Sequence, residues 1–201
     1  MKPLDVLTLG SSAGGGDWPP LVAATTALKR RGHQIHYLGD EALAKAVEGT
    51  GLAMTVVPAD LDLASALQAW EVERLENPDA PNPLLGWATN ILPRALDLAK
   101  SSKPDLLMCS DFTSLLGSQV RKETGIPMCV VNATYYVGPG ARRPFTDDFA
   151  DPEIAAGFAH LVHAGDLVLH ATDEEFDPPP DEVPPNHYWT CLLYTSDAAD
   201  E

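Results

Sequence analysis

Short apolar runs alternate along the chain with longer segments in which apolar residues recur at helical spacing. This pattern predicts strands at the apolar runs and helices between them. The predicted strands cover residues 6–9, 34–38, 54–57, 105–109, 128–131 and 167–171. The predicted helices cover residues 19–31, 41–48, 63–75, a region after 82 that ends at 100 with a kink or a restart at Pro93, 112–123 and 152–163. Apolar strands separated by helices predict an α/β fold, a Rossmann-like parallel sheet with helices on both faces.

The junction between the first strand and the first helix is rich in glycine. Residues 10–16 read Gly-Ser-Ser-Ala-Gly-Gly-Gly, and Asp17-Trp18-Pro19-Pro20 follows. Paired prolines favour the first turn of a helix. Glycine lets the backbone approach a ligand closely or adopt a positive φ, and here the candidates are Gly14, Gly15 and Gly16. These three glycines are therefore candidates for close contact with a ligand.

Three segments divide the chain. Residues 1–172 are predicted to form one domain, which includes a long non-periodic loop over 134–150 of the kind that often binds ligands. Residues 173–190 begin with an acidic, proline-rich stretch that is typical of a linker leaving a domain. Residues 191–201 continue no element and resemble translated sequencing-adapter sequence, so we expect them to be a non-native tail.

Charge and composition exclude several classes of partner. The 201 residues carry a formal net charge of −16, which repels the phosphates of nucleic acids and anionic membrane surfaces. No apolar run approaches the roughly 20 residues of a membrane span, and an acid stands at position 5 where a signal peptide would turn apolar. We therefore expect a cytoplasmic protein without stable membrane association. Cys109 and Cys129 lie in apolar runs, which predicts buried thiols.

Several motifs, taken in order, resemble the N-terminal half of family 1 glycosyltransferases of the GT-B fold, of the bacterial macrolide and flavonoid type. The first pair is Pro20-Leu21-Val22-Ala23-Ala24 with Arg31-Gly32-His33-Gln34-Ile35. Later motifs are Lys103-Pro104-Asp105 with Ser110-Asp111, Gly125-Ile126-Pro127, Asn132 to Pro139, and Glu175 to Pro180. The resemblance covers about residues 3 to 190. It implies an acceptor-binding domain from an enzyme about twice this length, whose other half binds the nucleotide-sugar donor.

The resemblance also implies a catalytic base. A histidine stands three residues before the proline in most relatives, and an aspartate at the end of a later strand orients it. Here the corresponding residues are Asp17 and Asp111. A carboxylate with an ordinary pKa of about 3.9 is a weak base near neutrality unless burial or a nearby like charge raises that pKa. Our hypothesis is that Asp17 replaces the histidine, alone or in a raised-pKa pair with Asp111.

Each aspartate also has a purely structural interpretation. Asp17 precedes Trp18-Pro19 and suits a helix N-cap, and Asp111 suits the same role for the helix beginning near Phe112. Aromatic residues that would line a pocket for a flat or macrocyclic acceptor are Trp18, Phe112, Tyr135 and Tyr136. Asn132 joins the predicted substrate-binding residues through its motif. The histidines lack acidic partners at ligand spacing, so no metal site is predicted.

Two other functions compete with sugar transfer. Asp40 follows the second strand, as a ribose-binding acid does in nicotinamide-dependent oxidoreductases, but no G-x-G-x-x-G precedes it. A free-standing module that binds a small molecule or a partner without chemistry is the second alternative. On the sugar-transfer interpretation, this chain holds no cofactor, the donor belongs to an absent C-terminal domain, and the fragment is inactive alone.

Overall fold

The computed structural model describes residues 2–13, 16–133, 165–172, 179 and 182–190. The elements follow the predicted order through most of the chain. The strands are β1 (Asp5–Leu9), β2 (Gln34–Gly39), β3 (Ala53–Val56), β4 (Leu106–Ser110), β5 (Met128–Asn132), β6 (Leu167–His170) and β7 (His187–Trp189). The helices are α1 (Trp18–Arg30), α2 (Glu41–Ala46), α3 (Leu63–Glu73), α4 (Leu84–Ser102) and α5 (Ser114–Thr124), with a 3-10 turn at Ala59–Leu61.

The seven strands form one parallel sheet in the order β3-β2-β1-β4-β5-β6-β7. This confirms the predicted α/β Rossmann-like class. The strand order reverses between β1 and β4, because β2 and β3 extend the sheet to one side of β1 whereas β4 to β7 extend it to the other. In parallel α/β sheets such a reversal opens a crevice at the carboxyl ends of the strands, where ligands bind.

Alternate residues of each central strand pack into two separate cores. On β1, Val6 belongs to the core beneath α1 and α2, whereas Leu7 and Leu9 belong to the core beneath α3, α4 and α5. On β4, Met108 and Cys109 divide in the same way. A strand buried on both faces has no polar side to mark its alternation, which is why the sequence shows continuous apolar runs.

Three details differ from the sequence prediction or extend it. Helix α4 runs without interruption through Pro93, so a second helix does not start there. Residues 187–189 form β7, although they fall in the segment predicted as a linker. The predicted loop at 134–150, the predicted helix at 152–163 and the tail lie outside the described residues. The domain boundaries therefore stay predictions.

Candidate active site

The two candidate catalytic aspartates lie on either side of the strand-order reversal. Asp17 ends the loop that follows β1, and Asp111 directly follows β4. Because β1 and β4 are neighbours in the sheet, residues that follow their carboxyl ends meet at one edge. Asp17 is 3% exposed and Asp111 is 0% exposed. The fold thus brings together two carboxylates that are 94 positions apart.

The structure does not show Asp17 capping a helix. Asp17 holds the N-cap position of α1, but its side chain makes no capping hydrogen bond. Instead, Oδ2 accepts a hydrogen bond of 2.7 Å from the hydroxyl of Ser110 at the end of β4. The other oxygen, Oδ1, is buried without a hydrogen-bond partner among the described residues. The side chain therefore points across to β4 and leaves one oxygen without a donor.

The surroundings of Asp17 raise its pKa from the ordinary 3.8 to about 7. Burial is the largest cause, because the charged carboxylate loses its hydration. The nearby Asp111 raises the pKa further by charge repulsion, whereas the Ser110 hydrogen bond and, to a smaller extent, the backbone amides of Asp17 and Trp18 lower it. A carboxyl group with this pKa can both accept and release a proton near neutral pH.

Asp111 is not the N-cap residue of the following helix. Thr113 holds that position of α5. The backbone carbonyl of Asp111 accepts a hydrogen bond of 2.7 Å from the hydroxyl of Ser114, which fixes the turn between β4 and α5. The buried carboxylate of Asp111 acts on Asp17 through its charge.

Sequence reasoning missed Ser110 and Thr113. The hydroxyl of Thr113 donates to the carbonyl of Leu9 at 2.7 Å and accepts from the amide of Ser110 at 3.0 Å. These bonds join the end of β4 to the end of β1, and Ser110 in turn holds Asp17. The available signal was the run Ser110-Asp111-Phe112-Thr113 after a buried strand, where hydroxyls at a strand's carboxyl end favour a polar site.

Asp40 anchors the glycine-rich loop. Its carboxylate accepts hydrogen bonds from the Ser11 hydroxyl at 2.9 Å, the Ser12 amide at 2.6 Å and the Leu43 amide at 2.8 Å. Asp40 is therefore buried and occupied by the chain's own donors, whereas a ribose-binding acid has to present its oxygens to a ligand. This arrangement argues against the oxidoreductase alternative.

Two glycines outside the predicted triplet are required by close packing. A Cβ on Gly39 would lie 2.8 Å from the carbonyl oxygen of Gly10, and one on Gly10 would lie 2.7 Å from Leu43. Gly16 is exposed, and a Cβ there would meet nothing within 4 Å. Gly14 and Gly15 lie outside the described residues. The close approach of β1 and β2 is thus the described feature that requires glycine beside this loop.

The predicted aromatic pocket is only partly described. Trp18 is half-buried and packs against the core beneath α1, and Phe112 is half-buried after β4. Tyr135 and Tyr136 lie outside the described residues. A tight cleft, too narrow in this structure to hold a water molecule, lies beside the glycine-rich loop. Its lining is mostly apolar and comprises Gly10, Ser11, Gly39, Asp40, Val57, Leu61, Leu63, Trp87 and Ile91.

A second polar cluster lies at the same edge of the sheet, on β5, β6 and β7. The Asn132 amide nitrogen lies 3.0 Å from Nδ1 of His170, and Nε2 of His170 lies 3.0 Å from Nδ1 of His187. Trp189 stacks on the His170 ring with centroids 4.2 Å apart. Asn132, predicted as a substrate-binding residue, thus has its side-chain amide in contact with His170 on the neighbouring strand. No sequence pattern indicated this cluster, because its members are separated by up to 57 positions.

The described residues form neither a metal-binding cluster nor a membrane-spanning helix. No group of three or more His, Cys, Asp or Glu is arranged to hold a metal ion in the described part of the chain. No described helix is long and apolar enough to cross a membrane. Cys109 and Cys129 are buried free thiols, as predicted, and burial raises the pKa of each.

Comparison with known proteins supports the glycosyltransferase resemblance. No protein-family model matches the sequence. The chain is 28% identical over 116 residues to the NDP-glycosyltransferase YjiC of Bacillus subtilis (strain 168), an alignment that covers 58% of this chain and 29% of the relative.

Solved glycosyltransferases have the same fold. The glycotransferase of kitacinnamycin superimposes with a TM-score of 0.68 at 17% identity, covering 93% of this chain and 51% of that protein. The Streptomyces sp. SF2575 glycosyltransferase SsfS6, complexed with thymidine diphosphate, superimposes with a TM-score of 0.55 at 21% identity, covering 90% of this chain and 50% of that protein. The resemblance found in the sequence is thereby confirmed. The chain has the Rossmann-like fold found in about half of a GT-B glycosyltransferase, and it spans about half the length of the solved proteins it matches.

Proposed function

We propose that this chain is the acceptor-side half of an inverting glycosyltransferase, in which Asp17 is the general base. The observation that carries the proposal is the buried carboxylate pair at the strand-order reversal, with the pKa of Asp17 raised to about 7 and one of its oxygens without a donor. The similarity to an NDP-glycosyltransferase and the shared fold supply the reaction class.

The proposed reaction is a single displacement. The acceptor hydroxyl oxygen bonds to the anomeric carbon of the sugar, and the bond from that carbon to the nucleotide diphosphate breaks. The acceptor's proton passes to Oδ1 of Asp17, since Oδ2 already accepts from Ser110. A base is effective when its pKa lies near the working pH, and the raised pKa meets this condition. The proposal assigns the nucleotide-sugar to the complementary half; SsfS6, which shares the fold, is a glycosyltransferase solved with thymidine diphosphate bound.

The site's electrostatics favour an acceptor that is not an anion. Asp17 and Asp111 are both acids, and the chain carries a formal net charge of −16. The tight cleft beside Gly10 and Ser11 is lined on its apolar side by Val57, Leu63, Trp87 and Ile91. A small hydrophobic alcohol or phenol suits these surroundings. Because Oδ1 is buried, the acceptor has to displace neighbouring groups to reach it.

The test joins residues 1–190 to the donor-side half of the Bacillus subtilis relative and supplies a nucleotide-sugar with a panel of phenolic and macrolide alcohols. Asp17→Asn is expected to lower turnover by about 10²- to 10⁴-fold, the usual contribution of a general base. Asp62→Asn is the matched control, because Asp62 caps α3 and lies outside the site.

Three outcomes would contradict the proposal. They are an inactive wild-type chimera, an Asp17→Asn variant within twofold of wild type, or retention of the sugar's anomeric configuration in the product. Binding of the same alcohols by this chain, with no transfer by any chimera, would instead support the alternative of a non-catalytic binding module.

A further inference from the structure

Ser110 contacts one candidate catalytic residue, Asp17, and adjoins the other, Asp111, in sequence. It is the last residue of β4, it is 1% exposed, and it precedes Asp111 directly. Its hydroxyl lies 2.7 Å from Oδ2 of Asp17 and 3.3 Å from the hydroxyl of Thr113. A hydroxyl has one proton to donate, so which neighbour receives it determines what Ser110 does.

The surrounding bonds decide where that proton goes. The Thr113 hydroxyl already accepts from the Ser110 amide and gives its own proton to the carbonyl of Leu9. Asp17 offers a carboxylate oxygen at the shorter distance, and hydrogen bonds to carboxylates are the stronger kind. The Ser110 hydroxyl therefore donates its proton to Oδ2 of Asp17.

This hydrogen bond makes the two carboxylate oxygens of Asp17 differ in their hydrogen bonding. Oδ2 is occupied by the Ser110 hydroxyl, while Oδ1 is buried and has no donor in the described part of the chain. When Asp17 takes up a proton, Oδ1 is the oxygen with both lone pairs available, whereas Oδ2 has one lone pair in the Ser110 hydrogen bond. Thr113 holds the Ser110 backbone against Leu9 on β1, so the choice of oxygen is built into the junction of β1 and β4.

We propose that Ser110 is a positioning residue for the sugar-transfer reaction, which selects Oδ1 of Asp17 as the proton-accepting atom and favours the charged form of that base. This inference rests on the proposed function, because it assigns Ser110 a task through Asp17. Ser110 itself contacts neither of the reacting atoms.

The decisive measurement is the titration of Asp17 in this chain, followed by the NMR shift of its ¹³C carboxyl carbon, which is assigned by its loss in Asp17→Asn. Ser110→Ala removes a donor to the charged form, so the midpoint should rise by about one pH unit. Ser110→Thr keeps the hydroxyl and should restore the wild-type midpoint. Ser114→Ala is the matched control, because that buried hydroxyl bonds the Asp111 carbonyl instead.

Asp111 is the other charged group that acts on Asp17 among the described residues, so the series is repeated in Asp111→Asn. The upward shift caused by Ser110→Ala should persist in that background. If Ser110→Ala fails to fold by near-ultraviolet circular dichroism, Ser110→Cys replaces it, with a smaller shift expected because a thiol is a weak donor.

The positioning role is overturned if the Ser110→Ala midpoint equals that of wild type, if Ser110→Thr fails to restore it, or if Ser114→Ala shifts it equally. These results are independent of turnover. A chimera in which Asp17→Asn retains activity overturns the proposed function and with it the catalytic task of Ser110, whereas a failed titration series with an inactive Asp17→Asn overturns only the role of Ser110.

Discussion

Two buried polar clusters share the carboxyl edge of the sheet, and they differ in how their polar atoms complement one another. The acidic cluster joins Asp17 and Asp111, two acids that repel each other, and the Ser110 hydroxyl donates to Asp17. The imidazole cluster joins Asn132, His170 and His187 in series. An amide nitrogen can only donate, so Nδ1 of His170 accepts and its Nε2 carries the proton that is donated to His187.

The contrast separates a site that costs stability from one that supplies it. Complementary donors and acceptors in a buried chain strengthen one another, as in the imidazole cluster. A buried carboxylate with an unpartnered oxygen and a like-charged neighbour lowers the free energy of unfolding, and the rest of the fold has to offset that cost. Arrangements of that kind are typical of active sites, where function opposes stability. Substitutions in the two clusters should therefore change the free energy of unfolding in opposite directions.

The largest expected effect is a gain of stability in Asp17→Asn at pH 8. The pKa of Asp17 is about 7 in the folded chain and 3.8 ordinarily. The favourable contribution of this residue is therefore complete below about pH 4 and is lost as pH rises through 7. The variant should unfold with a free energy higher by about 2 to 4 kcal/mol at pH 8 and should match wild type near pH 4.

Urea denaturation at both pH values measures this difference. Asp79→Asn removes the same charge from an exposed position and should change little at either pH. A loss of stability in Asp17→Asn at pH 8 would show that the acidic cluster supports the fold, and the comparison between the clusters would fail.

The imidazole cluster should respond in the opposite direction. His170→Ala removes the ring that stacks on Trp189 and leaves Asn132 and His187 without this partner. We expect a loss of about 3 kcal/mol, from the cavity and the buried groups whose bonds are broken. The measurement is chemical denaturation at pH 8. His36→Ala, which breaks a single half-buried bond to Thr55, is the control and should cost about 1 kcal/mol.

A smaller effect is expected at the anchor of the glycine-rich loop. Asp40→Ala removes the acceptor of three hydrogen bonds, from Ser11, Ser12 and Leu43, and should cost about 2 kcal/mol. Asp62→Ala removes a cap that is more exposed and should cost about 1 kcal/mol. Thermal denaturation compares them. Equal losses would mean that Asp40 acts only as the cap of α2 and does not anchor the loop beside Asp17.

Much of the fold could be predicted from the sequence because its signals are local. The apolar runs predicted the first six strands, and helical spacing with flanking proline and glycine predicted α1, α2, α3 and α5 within a few residues. The seventh strand escaped prediction, since the three residues 187–189 form no apolar run and pair only after β6 is in place. The resemblance to glycosyltransferases directed attention to Asp17 and Asp111, but neither residue alone distinguishes a base from a helix cap.

The sequence by itself determined the order of strands and helices, the glycine-rich loop after β1 and the acids at positions 17 and 111, since each depends on neighbours along the chain. Only the tertiary structure decided that Asp17 accepts a hydrogen bond from Ser110 and does not cap its helix, that Asp40 accepts hydrogen bonds from the glycine-rich loop, and that His170 contacts His187. Those outcomes depend on which strands lie side by side and on how much water their burial removes. Both are set by packing between residues that are distant in sequence.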